Sequence, residues 1–473
     1  MKLILVHTKF EIKIMKNLLN LILISSLIYG VNAQDNKPNV ILIISDQHAG
    51  KIMTQRGYDH IKTPGIDKLA AEGVTFTRAY VAYPVCTASR AAMITGIMPS
   101  KSQPQLTDYT SIGQQMKSNG YETAYYGKWH VGNSKMDKTK DWHGFEQYED
   151  LRNDTKIRQL SNDFIKKEHD KPFFMITSYL NPHDCCELAR NMSGMNDNYH
   201  DGAVEENANL AITPFLPTNF RIPPNEPEGF SVRRTPDSTD VSMFRKHPVK
   251  YWDETKWRQY MYGYDRLVEK VDAHILRMLE ELEKSGQLEN TIIIYTSDHG
   301  DGHAAHEWNQ KMTFYEESVN VPFIISYKGK SSAGIIDKKT LINTGLDIFT
   351  TISGMTGIEH DEVLLGIDLQ PSVMKKSIVD PTKRNYVVSE MNQLAVEGRS
   401  FTGRMVLTDR FKYVLFDGGK NPEQLYDLEV DPGELNPVTD NPEFAYQLKA
   451  HREMLKEWIV ESDDVFKKSS IPN

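Results

Sequence analysis

Several polar residues of this sequence follow closely on short apolar runs, at positions where buried strands are expected to end. Because the carboxyl ends of parallel strands meet at one edge of an α/β sheet, where ligands bind, we expect these side chains to lie close together. Asp46 and Asp298 are hard oxygen ligands that suit a divalent cation, and Gln47 would add a carbonyl oxygen. An aspartate after a strand also occurs as a plain helix N-cap, so one alone would leave both interpretations open. The residues in question are Asp46, Gln47, Lys128, His130, His183, Asp298 and His299.

The apolar runs themselves are continuous rather than alternating, which is typical of strands buried on both faces of a parallel sheet. A helical pattern lies between them over Tyr260–Lys284, with its apolar residues on one face. Strands alternating with helices predict an α/β fold with a mainly parallel central sheet sandwiched by helices. The predicted strands are Asn39–Ile44, Thr123–Tyr126, Pro172–Tyr179, Thr291–Thr296 and Val321–Ser326.

Residues 34–375 are therefore predicted to form the catalytic domain, and residues 376–473 a smaller C-terminal α+β subdomain with an antiparallel sheet and a terminal helix. The subdomain strands are expected at Tyr386–Ser389, Met405–Thr408 and Tyr413–Phe416, and the helix at Pro442–Ser462. Residues 184–250 form a long stretch rich in proline and polar residues, which we interpret as an insertion that shapes a binding site.

The first 33 residues are predicted to be an export signal, since lysines precede the apolar stretch Leu18–Tyr29 and small residues end at Ala33. That stretch is shorter than the roughly 20 residues of a spanning helix, so we expect no transmembrane anchor and a periplasmic or secreted protein. Removing the segment changes the formal net charge from −9 to −12. This acidity argues against a nucleic-acid partner.

The three cysteines of the chain are too few for a disulfide framework. A bond between adjacent cysteines is strained, so Cys185 and Cys186 are predicted to be two thiols. Cys86 could be an ordinary buried cysteine, the commoner case in general. Its context favours another role, because a small residue follows two positions later and Arg90 four positions later.

This spacing resembles the maturation signature of type I sulfatases, in which the cysteine is oxidised to formylglycine (3-oxoalanine). Ala88 stands where proline is more frequent, which predicts a radical-type maturase rather than the aerobic oxidase. The resemblance extends over residues 38–460 and implies an alkaline-phosphatase-like fold. The segments that carry it further are Asn39–Gln47, Gly127–His130, Asn181–His183, Tyr295–Gly300, His306–Lys311 and Gln424–Glu434.

The resemblance implies a cation held by Asp46, Gln47, Asp298 and His299. Ca²⁺ is the expected ion and Mg²⁺ the alternative. The usual family set is richer in carboxylates, with Asp-Asp and Asp-Asn pairs. Here Gln47 removes one negative charge and His299 replaces an oxygen ligand by a ring nitrogen. Whether His299 would contact the metal or the sulfate is left open at this point.

The remaining matched residues would carry the catalytic steps. By resemblance, Arg90 orients the hydrated aldehyde, and Lys128 and Lys311 bind the sulfate oxygens. His130 would take a proton from the second diol hydroxyl, and His183 or Lys311 would protonate the leaving oxygen. The alternative for Lys128 and His130 is a surface turn, and for His183 it is a packing role in a loop.

We therefore predict a sulfuric ester hydrolase acting on a sulfated carbohydrate, of ulvan or glycosaminoglycan type. Four tryptophans (Trp142, Trp252, Trp257 and Trp308) and the long loop fit a saccharide cleft, although tryptophans in loops often belong simply to the core. His303 and His306 are candidates for substrate contact, although an ordinary loop role is equally consistent. The competing hypotheses are a phosphonate or phosphate-ester hydrolase, since tetrahedral anions share this electrostatic need, and a catalytically dead polysaccharide-binding protein.

Overall fold

Fourteen strands occur in the described residues of the computed structural model, which are 37–131, 142–231, 249–360, 363–374, 384–392 and 400–472. In chain order the strands are β1 Asn39–Asp46, β2 Gly73–Phe76, β3 Ala79–Tyr80, β4 Glu122–Gly127, β5 Gln147–Asp150, β6 Phe173–Pro182, β7 Thr291–Ser297, β8 Phe323–Tyr327, β9 Ile335–Asp337, β10 Ile342–Asn343, β11 Val387–Asn392, β12 Thr402–Leu407, β13 Phe411–Phe416 and β14 Glu423–Asp427. The α-helices of the same residues are α1 Pro64–Glu72, α2 Cys86–Thr95, α3 Pro99–Ser102, α4 Ile112–Ser118, α5 Asp154–Ile165, α6 Cys185–Met192, α7 Glu228–Ser231, α8 Glu254–Lys284, α9 Glu316–Val319, α10 Thr344–Thr356, α11 Gln370–Val373 and α12 Ala445–Glu461.

Eight of these strands form the central sheet, in the order β5-β4-β6-β1-β7-β8-β2-β9. All pairings are parallel except those of β8, which runs against β7 and against β2. The prediction of a parallel strand at Val321–Ser326 is therefore wrong in direction. A parallel return needs a crossover, usually a helix, whereas the segment between β7 and β8 contains a three-residue 3₁₀ helix, the four-residue α9 and loops.

Alternate side chains of β1 pack against helices on opposite faces of the sheet. Val40 and Leu42 belong to the same core cluster as Met93 of α2 and Phe349 of α10. Ile41, on the other face, belongs with the apolar residues of α1, α5 and α8. All eight residues of β1 are buried, which is why the strand is a continuous apolar run, and the predicted α/β sandwich is confirmed.

Helix α8 begins six residues before the predicted start at Tyr260. The Asp253 side chain caps it by accepting a hydrogen bond from the backbone N–H of Lys256 at 2.9 Å. This cap adds a polar first turn that apolar periodicity does not detect.

The C-terminal region contains the antiparallel meander β11-β12-β13-β14, with α12 packed against it. The three predicted strands and the terminal helix are confirmed, and β14 (Glu423–Asp427) was not predicted. Within residues 184–250 the structure contains α6 and α7, and residues 232–248 lie outside the described part.

Residues Asn39–Asn473 form one compact unit by their contacts. The predicted domain boundary between residues 375 and 376 falls inside it, at positions outside the described residues, and stays a prediction. The predicted signal segment, residues 1–33, also lies outside them. None of the helices in the described ranges is both long enough and apolar enough to cross a bilayer.

Candidate active site

The carboxyl ends of four adjacent strands supply the predicted polar residues. In the order β4-β6-β1-β7, these ends are followed by Lys128, His183, Gln47 and Asp298, while Asp46 is the last residue of β1. Asp46, Gln47 and Asp298 are completely buried, and Lys128 is 3% exposed. The sheet thus brings together residues that are separated by up to about 250 positions in the sequence.

Helix α2 places Cys86 and Arg90 against this edge. Cys86 is the first residue of the helix, where the unpaired N–H groups and the helix dipole favour an anion. Arg90, one turn later, donates from Nε to Asp298 Oδ2 at 2.7 Å and from Nη2 to Asp46 Oδ2 at 3.2 Å. Its Nη1 donates to the Lys128 carbonyl oxygen at 2.6 Å and to Ser178 Oγ at 2.7 Å. The guanidinium therefore fixes the two carboxylates relative to the helix that carries Cys86.

Two lysines bring positive charge to the Cys86 thiol. Lys311 Nζ lies 3.6 Å from Cys86 Sγ, and Lys128 Nζ donates to Asp46 Oδ2 at 2.5 Å. Burial would raise the pKa of the Cys86 thiol, but the charges of Lys128 and Lys311 hold it well below its ordinary value. Burial likewise opposes ionisation of Lys311, yet the negative charges of Cys86 and Asp46 raise its pKa. The site therefore stabilises an anion at residue 86.

The two carboxyl groups differ in their protonation equilibria. Burial alone would raise the pKa of Asp46, but the neighbouring positive charges, that of Lys128 first, hold it well below its usual range. Burial, followed by the neighbouring charge of Asp46, raises the pKa of Asp298. The pKa values of the two carboxyl groups are thus shifted in opposite directions.

Four side chains offer donor atoms that lie within 4.8 Å of one another: Asp46, Cys86, Asp298 and His299. His299 Nε2 lies 3.7 Å from Asp46 Oδ1 and 3.6 Å from Asp298 Oδ1. Two ligands of one Ca²⁺ at right angles are separated by about 3.3–3.7 Å, from metal–oxygen distances of 2.3–2.6 Å. Asp46 Oδ1 and His299 Nε2 are buried without a hydrogen-bond partner among the described residues.

The orientation of His299 supports a ligand role as well. Its Nδ1 lies 2.9 Å from the Gly300 carbonyl oxygen, which can only accept a hydrogen bond. Nδ1 therefore carries the proton, and Nε2 presents its lone pair to the carboxylates. The donor set fits a divalent cation.

His183 and His130 differ in their surroundings. His183 Nδ1 is buried without a hydrogen-bond partner in the described structure. Burial first, then the charges of Lys128 and Lys311, lowers the pKa of His183 well below its ordinary value, so the ring is neutral. His130 is exposed, and its Nε2 lies 3.1 Å from Oγ1 of Thr87, the residue after Cys86.

Lys311 is carried by a loop with unusual backbone geometry. Five non-glycine residues have positive φ: His303 (44°), Ala304 (70°), His306 (56°), Glu307 (52°) and Met312 (70°). The loop closes on itself through Gly302 N donating to the Gln310 carbonyl at 3.0 Å. Such sparsely populated conformations persist where the surrounding structure holds them, and they concentrate at functional sites.

The two histidines predicted to contact substrate are buried in this loop and make other contacts. His303 Nε2 lies 3.2 Å from Asp265 Oδ1. His306 stacks on the Tyr315 ring at a centroid distance of 3.7 Å, and its Nε2 lies 3.6 Å from Glu317 Oε2. Substrate contact by either histidine stays a prediction.

Sequence analysis did not identify two residues that hold the site together. Ser178, in the middle of β6, accepts from Arg90 and donates to the Lys128 carbonyl at 2.9 Å. Nothing in its apolar strand indicated this. Asp301 accepts from the Gln47 amide at 2.8 Å. Its position two residues after His299 is a signal that could have identified it.

The predicted vicinal thiols are confirmed, since Cys185 and Cys186 are free. Both are buried beside Gln47, whose Nε2 lies 3.3 Å from Cys185 Sγ. Cys186 Sγ lies 3.8 Å from Gln47 Oε1. The pair therefore packs against the Gln47 side chain.

Comparison with known proteins shows which family models and which proteins this chain resembles. A family model described as Sulfatase matches residues 38–358, and one described as N-sulphoglucosamine sulphohydrolase, C-terminal, matches residues 304–461. The chain is 29% identical to a Delta 4,5-hexuronate-2-O-sulfatase of Bacteroides thetaiotaomicron, over 93% of this chain and 92% of that protein. It is 28% identical to an ulvan-active sulfatase of Formosa agariphila, over 92% of this chain and 84% of that protein. A solved 2-O GAG sulfatase superposes with a TM-score of 0.76 at 27% identity, covering 90% of this chain and 93% of that one.

Proposed function

The chain belongs to the sulfatase family and is a sulfuric ester hydrolase, and we propose that its substrate is a sulfated carbohydrate of ulvan or glycosaminoglycan type. The observation that carries the proposal is the placement of Lys128 and Lys311 around residue 86, beside a buried donor set that fits a cation. The substrate class is supported by the similar proteins, which are named for hexuronate, ulvan and GAG sulfates.

Cys86 is the proposed precursor of formylglycine. Once formed, the hydrated aldehyde supplies a nucleophilic hydroxyl and a second hydroxyl through which sulfate can be expelled, which a serine or cysteine lacks. The protein contributes the surroundings of residue 86. Arg90 fixes the adjacent carboxylates. His130 is proposed to take the proton of the second hydroxyl, which its contact with the neighbouring Thr87 supports.

The proposed resident cation is Ca²⁺, with Mg²⁺ as the alternative. Asp46, Asp298 and His299 would hold it, with the Gln47 amide oxygen as a further ligand. When bound, it supplies Lewis-acid charge at the sulfuryl oxygens. The buried, unpartnered Asp46 Oδ1 and His299 Nε2 support this assignment.

Lys128 and Lys311 are proposed to bind the sulfuryl oxygens. Lys311 or His183 is proposed to donate a proton to the leaving oxygen. The two candidates differ in charge, because the pKa of Lys311 is raised and that of His183 is lowered. With cysteine at position 86, Lys311 is therefore the candidate that carries a proton at neutral pH.

The leading test is sulfate release from a panel of defined sulfated oligosaccharides, measured by ion chromatography. Mass spectrometry of the peptide containing Cys86 establishes how much aldehyde is present. We expect Cys86→Ala to lower kcat/KM by at least roughly 10³-fold. Aldehyde at residue 86 together with undiminished turnover by Cys86→Ser would contradict the mechanism.

A matched phosphate or phosphonate ester of the same leaving group distinguishes the competing hydrolase. Faster turnover of that ester would replace the sulfatase proposal. Saccharide binding without sulfate release, in protein that carries the aldehyde, would indicate a catalytically dead binding protein.

The two lysines and His183 can be separated by the leaving group. Lys128→Met and Lys311→Met are each expected to lower kcat/KM by roughly 10²–10³-fold, as when a charge-stabilising donor is removed. The exposed Lys339 provides the control Lys339→Met, which should leave kcat/KM unchanged. Whichever of Lys311→Met and His183→Gln loses more activity on a sugar sulfate than on an aryl sulfate with an acidic phenol identifies the proton donor.

Export and maturation complete the proposal. The mature protein is expected to begin after Ala33 and to reside in the periplasm or outside the cell, which N-terminal sequencing of fractionated cells would check. A radical-type maturase is expected to produce the aldehyde, as Ala88 suggests. Co-expression with such an enzyme in the absence of oxygen should raise the aldehyde content at residue 86 above that of protein expressed without the enzyme.

A further inference from the structure

The side chain of Gln47 is held in one orientation. Its Nε2 donates to Asp301 Oδ2 at 2.8 Å, and its Oε1 accepts from Lys311 Nζ at 3.1 Å. A carboxylate has no proton to donate, so the amide nitrogen must face Asp301. The reversed amide would place two acceptors together at one end and two donors at the other. The carbonyl oxygen of Gln47 therefore faces Lys311, on the side away from Asp301.

Asp301 is itself fully buried and rigidly held. Its carboxylate accepts from the Tyr260 hydroxyl at 3.1 and 3.2 Å and from the backbone N–H of His303 at 2.8 Å. Burial, then the charge of Asp301, raises the pKa of Tyr260 well above its ordinary value. Among the described residues Asp301 forms no ion pair with a lysine, arginine or histidine. The Gln47 amide links Asp301 to Lys311, since its nitrogen donates to Asp301 and its oxygen accepts from Lys311.

This arrangement bears on the charge of the cation site. Asp46 and Gln47 offer the proposed cation one carboxylate and one amide, whereas two carboxylates would give the site more negative charge. Affinity for Ca²⁺ depends on the number of charged ligands and on the rigidity of the site. Carboxylates that orient metal ligands from behind are a recognised means of tuning both properties.

We infer that Asp301 is a positioning residue that orients the Gln47 carbonyl oxygen toward the cation and supplies, from behind, the negative charge that glutamine lacks. The inference rests on the proposed function, in which Gln47 is a cation ligand. It assigns to Asp301 no contact with the substrate. Its effect should appear in cation affinity, and only through that in turnover.

The test measures the thermal midpoint of chelator-treated protein as Ca²⁺ is added. Asp301→Asn keeps the shape of the side chain and removes its charge, and we expect a roughly 10- to 100-fold higher Ca²⁺ concentration for half of the maximal shift. The double variant Gln47→Glu/Asp301→Asn restores the hydrogen bond with donor and acceptor exchanged and returns the charge. It should bind Ca²⁺ at least as tightly as the unaltered protein.

Tyr260→Phe is the matched control, because it removes one hydrogen bond to Asp301 and leaves the charge and the Gln47 contact in place. It should lower the thermal midpoint of the chelated protein while keeping the Ca²⁺ requirement within roughly twofold. An unchanged Ca²⁺ requirement in Asp301→Asn would overturn the inference alone. If Asp301→Asn does not fold, the double variant Gln47→Glu/Asp301→Asn tests the inference instead. Ca²⁺ binding by the double variant that is much weaker than that of the unaltered protein would refute it. No Ca²⁺ response in the unaltered protein would overturn the proposed cation site and this inference with it.

Discussion

Arg90→Met replaces the guanidinium-bearing side chain by a shorter, unbranched apolar one and removes four hydrogen bonds from the centre of the site. Asp46 and Asp298 remain, both completely buried, with Lys128 bonded to only one of them. Removing one partner from a buried ion pair costs about 3–5 kcal/mol. We expect a loss of this size in the free energy of unfolding, measured by denaturant titration without divalent cations.

The same substitution should increase the response to calcium. Arg90 neutralises the carboxylates that would hold the cation, so its loss leaves them more strongly attracting. Saturating Ca²⁺ should therefore raise the thermal midpoint of Arg90→Met by more than that of the unaltered protein. Arg266→Met is the control: Arg266 pairs with Glu269 on the surface of α8, at about a quarter exposure for each side chain, so the cost should be about 0–1 kcal/mol.

A destabilisation of Arg90→Met no larger than that of the control would refute the view that the guanidinium offsets buried charge. A calcium response no greater than that of the unaltered protein would show that Asp46 and Asp298 do not bind the ion. The two outcomes are independent, because the free energy of unfolding is measured without divalent cations, whereas the shift of the thermal midpoint measures the effect of added Ca²⁺.

Three further predictions concern stability. Gly127→Ala should cost more than about 4 kcal/mol in denaturant unfolding, because φ is +119° and a Cβ would lie 1.9 Å from the Ser178 carbonyl oxygen; Gly286→Ala, at φ +70° with open space, should cost about 1 kcal/mol. Burial lowers the pKa of His48 from 6.5 to about 4, so neutral His48 contributes about 3 kcal/mol to the free energy of unfolding above pH 6.5. This contribution is lost as the pH falls through 4, and His48→Asn should make the free energy of unfolding less dependent on pH in this range. Burial raises the pKa of Glu390 from 4.5 to about 7, so its contribution of about 3 kcal/mol is full below pH 4.5 and lost as the pH rises through 7. Glu390→Gln should remove that loss, and unfolding curves between pH 4 and 8 that match the unaltered protein would contradict either assignment.

The strands that form the centre of the sheet could be predicted from sequence because they are buried on both faces. Apolar content alone identified β1, β4, β6 and β7, and the polar residues after them converge as expected. Short strands at the sheet edge gave no such signal. The residues of β9, for example, are mostly exposed.

The site could be predicted to the level of residue types, but its internal contacts could not. Periodicity says nothing of which acceptor a guanidinium selects, and Ser178 lies 88 positions from Arg90. Nor does it reveal the positive φ of His303 and His306, or the buried carboxylates that lie beside both rings. Those contacts follow from tertiary packing around a strained loop.

The pairing of β1 with β7 joins Asn39 to Thr291 and Ser45 to Ser297, so the site is complete only when most of the chain exists. Asp298 is synthesised 212 residues after Cys86. At about 5–20 residues per second, this interval is roughly 10–40 seconds. In the finished fold Cys86 is 2% exposed, too little for another enzyme to reach its sulfur. The conversion proposed for Cys86 would therefore have to precede completion of the fold, because the enzyme that carries it out needs access to the thiol.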